Sequence, residues 1–541
     1  MKKLLIFSLL FVFRAEAINQ EEAQVQLQKI KVETNTTSLL QYAAAGDISM
    51  VKLLLAAGEN INAQEPNFGA TALHNAAALG HLEMVKWLVE NHASIKTQDK
   101  QGYTALDWAI EQKKEKVIDY LTQQQKKQAK STPTILNYTK GQQQKSIKPP
   151  QSSFHDWQQA EKEAQSIREQ WKNTAITIPW TKLQLQRYIK HKIMPGKSAR
   201  GLALMHVAMY DALILSNQHQ KDPEIAISMA AAQVLSYIFP AEERAFNRTV
   251  FSIAAQKYQA KRENLPKQAT QAMQIGAQVA SQVIQHAQND GAQRGWNGMR
   301  LQWYGQGRYY GPGSWEPTPP YFYYPPEEPY APTWQTWWLK NGSQFRAPPL
   351  PKYGTQEFIK ALKEVIEINK TLTNEQLTAA EFWVDGHGTV TPAGHWNQIA
   401  MSYSKAADFD DLKTARLYAE LNTTLADTYI SAWDSKYRYW SIRPVTAAQK
   451  LLNIKFKPAI LTPPFPSYVS GHAATSGAAS FILSKYFPQS AKELKQKGEE
   501  AAMSRLYGGI HYRFDNDQGL IQGRKVAGWV HAKFKQINQS K

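Results

Sequence analysis

Residues 4–13 form the first apolar run of the chain, interrupted only by Ser8, opening after Lys2 and Lys3 and followed by Ala15-Glu16-Ala17. Ten residues are too few to cross a bilayer. The charged start and the small residues after the run mark residues 1–17 as a secretory signal cleaved after Ala17. Beyond it no segment reaches about eighteen apolar residues free of charge or histidine; the best, residues 202–215, contains His206 and Asp211. The mature chain is therefore expected to carry no transmembrane span and to be periplasmic or secreted. From residue 155 onward the apolar positions follow helical spacing, with buried helices expected over 199–216 and 225–239 and a long one over 412–433. Period-two alternation is scarce, so an all-α architecture is expected. Residues 296–353 break the pattern with 16 aromatics and 11 prolines, which continuous helix does not tolerate. Such a segment either walls a substrate funnel or packs as irregular core. Its Gly305, Gly307 and Gly311 fail the dinucleotide spacing, and no strand precedes them.

Self-similarity governs the N-terminal part. Thr71-Ala72-Leu73-His74-Asn75-Ala76-Ala77 returns 33 residues later as Thr104-Ala105-Leu106-Asp107-Trp108-Ala109-Ile110, and Val85-Lys86-Trp87-Leu88 returns as Ile118-Asp119-Tyr120-Leu121. An earlier copy spans residues 39–63, with Gly46-Asp47 answering Gly80-His81. The period and the Thr-x-Leu-His-x-Ala turn resemble the ankyrin repeat, in three copies within residues 37–122. That resemblance implies helix pairs that bury their apolar faces only by stacking. It also implies a concave side for a protein partner, or else a cap on the next domain. Residues 123–154 hold Gln123 to Gln125, Gln142 to Gln144 and Pro149-Pro150, a composition expected of a linker.

Composition narrows the classes. A chain of 541 residues exceeds one hydrophobic core, and 43% apolar with 20% charged residues excludes wholesale disorder. Lys and Arg number 63 against 45 Asp and Glu, a formal +18. Six of those lysines, Lys126, Lys127, Lys130, Lys140, Lys145 and Lys148, lie in the expected linker without a carboxylate. They carry no interleaved pattern of stacking aromatics, so no nucleic-acid partner is expected. The absence of cysteine removes thiol catalysis, Cys-ligated zinc and disulfides, and lets an exported chain fold without an oxidant.

Three segments near the C-terminus carry chemistry. In Lys436-Tyr437-Arg438-Tyr439-Trp440-Ser441-Ile442-Arg443-Pro444, helical spacing puts Lys436 and Arg443 on one face. Pro466-Ser467-Tyr468-Val469-Ser470-Gly471-His472 precedes a helix-like run, which sets a hydroxyl, a Gly amide and an imidazole at a helix N-terminus that favours anions. In Ser504-Arg505-Leu506-Tyr507-Gly508-Gly509-Ile510-His511-Tyr512-Arg513-Phe514-Asp515, the glycine break is needed to bring Arg505 and His511 to one site. Two arginines, a lysine, a hydroxyl and an amide make a pocket for a tetrahedral oxyanion and repel a free divalent cation. Asp515, four residues after His511, reads as the acceptor that orients it.

The order Lys-x6-Arg-Pro, Ser-Gly-His, Ser-Arg-x5-His-x3-Asp resembles the superfamily of type 2 phosphatidic acid phosphatases (PAP2), bacterial non-specific acid phosphatases and vanadate-dependent haloperoxidases. The resemblance covers residues 155–541 and implies a helical bundle. By it Lys436, Arg443, Ser470, Gly471 and Arg505 hold phosphate or vanadate oxygens, His511 bonds axially to phosphorus or vanadium, and His472 is the acid–base. Trp433, Phe465 and the run Phe382-Trp383-Val384-Asp385-Gly386 with His395-Trp396-Asn397 are similar to the haloperoxidase branch, where Asp385 would support Arg505. His387 and His395 are expected to structure the Gly-rich loop. The resemblance implies a vanadate cofactor with halide and peroxide as substrates. The alternative is a cofactor-free phosphomonoesterase working through a phosphohistidine, and a further one is an ankyrin-based periplasmic binding protein with a silent enzyme domain.

Overall fold

The computed structural model describes residues 20–95, 97–101, 103–131, 134–136, 147–172, 174–293, 311–323 and 326–539. The expected signal, much of the expected linker and residues 296–310 of the aromatic segment lie outside them. Regular structure among the described residues is all helical; the pairings Gln98–Thr104 and Ser314–Ser441 are isolated bridges. The chain divides into two compact units at Ser131 and Thr132.

The first unit opens with α1 (Gln20–Lys29) and continues as the pairs α2 (Thr36–Ala45) and α3 (Ile48–Ala56), α4 (Ala72–Leu79) and α5 (Leu82–Glu90), and α6 (Ala105–Glu111) and α7 (Glu115–Ser131). The repeated Thr of the motif caps its helix. Thr71 forms a reciprocal capping box with His74, and Thr104 does so with Asp107. Short helices of this kind are stable only through stacking, and Leu39, Val51, Leu73, Val85, Leu88 and Ala109 form one buried core across the pairs. Helix α7 runs into the Gln/Lys-rich stretch. Farther along it, the amides of Ile135 and Leu136 donate to the Asp211 carboxylate at 2.6 and 3.0 Å, and Ile147 packs on the core of the second unit.

That second unit contains α8 (Phe154–Trp171), α9 (Thr177–His191), α10 (Pro195–Gln218), α11 (Pro223–Ile238), α12 (Glu243–Tyr258) and α13 (Lys267–Asn289). After the aromatic segment come α14 (Gln356–Lys370), α15 (Asn374–Phe382), α16 (Thr391–Ala406), α17 (Asp411–Tyr439), α18 (Pro444–Leu452), α19 (Gly471–Tyr486), α20 (Ala491–Tyr507) and α21 (Arg513–Gln539). The axis is α17, buried along almost its whole length, with α10, α19 and α21 packed on it. Helices α19 and α21 touch backbone to backbone, because a Cβ at Gly523 would meet the Ala474 oxygen at 2.0 Å. Only glycine permits that approach. It sets the first turn of α21 over the start of α19, where the Ser470 amide donates to the Asp515 carbonyl at 3.0 Å.

Lys436 and Arg443 do not share a helix. Trp440 takes a left-handed conformation (φ 52°) that ends α17, and Arg443 caps α18, whose first residue is Pro444. A proline at the first helical position lacks a hydrogen that would be unpaired there anyway, so the sequence restarts a helix rather than continuing one. Part of the aromatic segment packs as irregular core and part lines a cavity. Trp315, Trp334, Leu339 and Ala347 are core, and Asp427 of α17 accepts the amides of Trp337, Trp338 and Leu339 at 2.7, 2.8 and 3.1 Å. Tyr323 and Glu327 face a cavity.

Candidate active site

Lys436 lies in the last turn of α17, fully buried. Its ammonium donates to the carbonyls of Pro466 and Ser467 at 2.9 and 2.8 Å, which uses two of its three protons. Arg443 donates from Nε to the Phe465 carbonyl at 2.8 Å and from Nη1 to the Ile510 carbonyl at 2.8 Å. Its Nη2 is buried without a partner. Arg505, in the last turn of α20, donates to the Ala380 carbonyl at 2.7 Å and to Ser504 Oγ at 2.9 Å. The three cations depress one another or are depressed by burial. Lys436 falls well below its ordinary value, first through burial and then through Arg443. Burial brings Arg443 down to about 9 and Arg505 to about 10.

Helix α19 supplies the next group. Ser470 caps it, accepting from the Ala473 amide at 3.3 Å. Gly471 opens it, where a Cβ would press on Trp433 at 3.2 Å. His472 is largely buried, and its Nε2 has no partner. Burial and then Arg505 hold its pKa well below the ordinary value.

The chain leaves α20 through Gly508 and turns at Gly509 (φ 75°), a conformation that excludes most side chains. His511 follows just before α21. Its Nδ1 lies 2.8 Å from Asp515 Oδ2, and its Nε2 lies 3.1 Å from Arg443 Nη1. A guanidinium only donates, so Nε2 is an acceptor and the proton sits on Nδ1, shared with Asp515. Burial, Arg443 and Lys436 hold this imidazole neutral, well below its usual pKa. Asp515 is itself raised to about 6 by burial, against the pull of Ser467 and the cations.

Two residues near the site carry no signal in the sequence. Ser467 Oγ donates to Asp515 Oδ2 at 2.5 Å; it sits inside the quoted segment, but a loop hydroxyl has no periodicity to mark it. Glu327 is one of three carboxylates in the aromatic segment and pairs with His387 at 3.2 Å. Asp385 also differs from expectation. Both its oxygens lie 3.1 Å from His395 Nδ1, because the first turn of α16 folds His395 over Trp383 at 4.3 Å between ring centres. Arg505 feels the Asp385 charge but directs its hydrogen bonds to Ala380 and Ser504. Among the described residues no group of three or more His, Asp or Glu could hold a metal ion.

Gly471, His472, Arg505 and His511 form the floor of a cavity of about 860 Å³. A family model described as the VCPO second helical-bundle domain matches residues 416–497 and 487–540, a span that holds all of these floor residues. A second, ankyrin repeats in 3 copies, matches residues 33–131. Among solved structures, the first bacterial vanadium-dependent iodoperoxidase aligns at 27% identity with a TM-score of 0.56, over 65% of this chain and 94% of that one. A holo-type bacterial vanadium-dependent chloroperoxidase aligns at 15% identity with a TM-score of 0.51, over 64% and 93%, a likeness of fold. This chain joins an ankyrin array to a helical domain of the vanadium haloperoxidase type. Curated relatives include protein phosphatase 1 regulatory subunit 12A of Mus musculus, 34% identical over 126 residues, and ankyrin repeat and SAM domain-containing protein 6 of Rattus norvegicus, 37% identical over 71. The chain spans 12% and 8% of their lengths.

In the haloperoxidase-type domain the donor set fits an oxyanion. Arg443 Nη2 and His472 Nε2 are buried and unpaired, a costly state for polar groups unless a ligand completes them. Three buried cations around the same floor leave a positive charge that an anion would neutralise.

Proposed function

We propose that the chain is an exported, vanadate-dependent haloperoxidase that oxidises halide with hydrogen peroxide, and that its ankyrin array docks a protein partner. The observation that carries this reading is the pair of unpartnered nitrogens, Arg443 Nη2 and His472 Nε2: His472 lines one cavity with the neutral His511, and Arg443 lies against His511, its Nη1 3.1 Å from His511 Nε2. No described helix is long and apolar enough to cross a membrane.

Arg443, Arg505, Lys436, Ser470 and the Gly471 amide would hold the vanadate oxygens, and His511 would bind the vanadium through Nε2. When bound, vanadate supplies a Lewis-acidic centre that polarises peroxide for attack by halide. The rest falls to the chain. Asp515 fixes the His511 tautomer through Nδ1, and Ser467 in turn holds Asp515, so Nε2 stays unprotonated, its lone pair accepting from Arg443 Nη1 at 3.1 Å. His472 is neutral in a cationic pocket; an anion on the floor raises its proton affinity, so it takes a proton from peroxide and returns it to the departing oxygen.

The same neutral His511 is a competent nucleophile toward phosphorus, which favours a phosphomonoesterase as the second reading. One assay separates them: purified protein with orthovanadate, peroxide and iodide or bromide, in parallel with an aryl phosphate without vanadate. Halide oxidation that depends on vanadate supports the first reading. Aryl phosphate turnover with a phosphate trapped on His511 overturns it, and tight vanadate binding with neither activity points to a silent binding domain.

A further inference from the structure

Above the oxyanion floor the cavity is larger and more apolar than its inorganic reactants require. Its volume of about 860 Å³ lies in the range of sites that hold drug-sized organic molecules, whereas peroxide and a halide are each smaller than one side chain. Met194, Leu425, Tyr429, Trp433, Ile460 and Phe465 form its walls. Around the mouth Tyr323, Val384 and Leu461 line the same space yet are 56%, 40% and 57% exposed. Large apolar side chains kept in water around an opening mark an interaction surface.

An ion pair interrupts this wall. Glu327 Oε1 and His387 Nε2, both lining the cavity, are 3.2 Å apart. The Glu327 backbone is pinned: its amide donates to the Pro464 carbonyl at 3.0 Å, and its own carbonyl accepts from Trp433 Nε1 at 3.2 Å and from the Tyr437 hydroxyl. Its side chain is 12% exposed. The hydrogen bond to Glu327 raises the His387 pKa. A carboxylate at this place repels an anionic substrate such as a phosphate ester and accepts a hydrogen bond from a neutral one.

We propose that the upper cavity binds the organic acceptor of the reaction, an electron-rich aromatic alcohol of the phenol class, with its ring on the apolar wall and its O–H on the Glu327–His387 pair. This rests on the haloperoxidase reading above. The halide loses two electrons to peroxide, whose O–O bond breaks. A carbon–halogen bond forms on the ring as a C–H bond breaks, so that phenol, halide, peroxide and one proton yield halophenol and two waters. Glu327 draws on the phenolic hydrogen and pushes electron density into the ring, and the ring proton leaves to water at the mouth. A ring held in one orientation is halogenated at one position.

The test uses the full chain and 1-naphthol. Calorimetry without vanadate or peroxide is expected to show saturable binding, weakened about tenfold by Glu327→Gln, the value of a hydrogen bond to a charged group, and also by Leu461→Arg at the exposed rim. The methyl ether of naphthol, lacking the O–H, is expected to bind more weakly and to ignore Glu327→Gln. With vanadate, peroxide and bromide, the ratio of bromonaphthol isomers is expected to differ from that given by reagent hypobromous acid and to move toward it in Glu327→Gln. Absence of saturable binding, or an isomer ratio equal to the reagent's, overturns the proposal. Triiodide formation from iodide alone reports separately on the haloperoxidase reading. Triiodide without naphthol binding rejects the acceptor site alone; naphthol binding with the expected Glu327 dependence but no triiodide rejects the haloperoxidase reading and leaves the site standing.

Discussion

His74 in the ankyrin array and His472 in the helical bundle are both removed from water, and burial lowers the pKa of both. They differ in what their nitrogens meet. His74 Nδ1 lies 2.8 Å from Thr71 Oγ1, and Nε2 lies 3.0 Å from the Tyr103 carbonyl of the next repeat. His206, in the bundle but away from the cavity, is likewise satisfied, with Nε2 2.9 Å from Thr181 Oγ1 and Nδ1 2.8 Å from the Leu202 carbonyl. His472 leaves Nε2 without a partner. A buried imidazole with both nitrogens engaged supports structure, whereas one with an open nitrogen costs stability and awaits a reactant. The comparison therefore makes opposite forecasts for similar substitutions.

The largest effect is expected at His472. On the proposed haloperoxidase reading, replacing it with Ala removes the general acid–base and should lower kcat by about 10²- to 10⁴-fold. Thermal unfolding should show no loss beyond that of the truncated contacts, because the substitution also removes an unsatisfied buried nitrogen. A fall in stability as large as a core deletion would place His472 with His74. Next comes Arg443→Ala, measured by calorimetry with orthovanadate. Truncating one partner of a buried charge-assisted contact typically costs about 2–5 kcal/mol, so vanadate affinity should drop by more than tenfold. Undiminished affinity would remove the anion site from the argument.

What the sequence could disclose depended on whether a fixed spacing carried it. The repeats, the Gly508-Gly509 turn and the His511–Asp515 pair are local, and the structure has them as the spacing implies. Arg443 lies on a different element from the one its spacing predicts because a left-handed Trp440 leaves no mark in composition; only Pro444 hints that a helix restarts. Asp385 is expected to support Arg505, far along the chain, but the fold-back of α16 gives it His395, ten residues away, as its hydrogen-bond partner. Ser467 and Glu327 sit in irregular segments, where burial is set by neighbours from α17, α19 and α21 rather than by periodicity.

Acid stability gives a smaller and signed test. Burial lowers the His206 pKa to about 4 from 6.5, so between those values the unfolded chain binds a proton that the folded one refuses. Its contribution is complete above pH 6.5 and is lost as pH falls toward 4, a change of about 3 kcal/mol. Asp427, raised to about 7 by burial, works in the opposite direction: folded protein takes its proton first, so stability rises as pH falls from 7 toward 3.8. The wild-type curve thus mixes both, and the difference from His206→Gln isolates the histidine. Urea unfolding between pH 7 and 4.5 should show a shallower acid loss in the variant. Parallel curves would mean that His206 is hydrated and belongs with neither class.

The smallest effect is expected at His74, and it is the one that tests whether the two regions are independent. His74→Ala removes half of the Thr71 capping box and leaves the Tyr103 carbonyl without its imidazole partner. It also removes the edge-on contact with Trp108, whose ring centre lies 5.3 Å away. The cap and the Tyr103 hydrogen bond are each worth about 1 kcal/mol, and losing both should destabilise the array by about 2 kcal/mol. Repeats interact only with their neighbours, so the weakened junction lies between the second and third copies and the array should unfold earlier in urea. Vanadate affinity, measured on the same preparation, should match the wild type, since the anion site draws no residue from the first unit. A parallel fall in affinity would show that the array props the catalytic bundle, and the contrast drawn between His74 and His472 would then be one of degree.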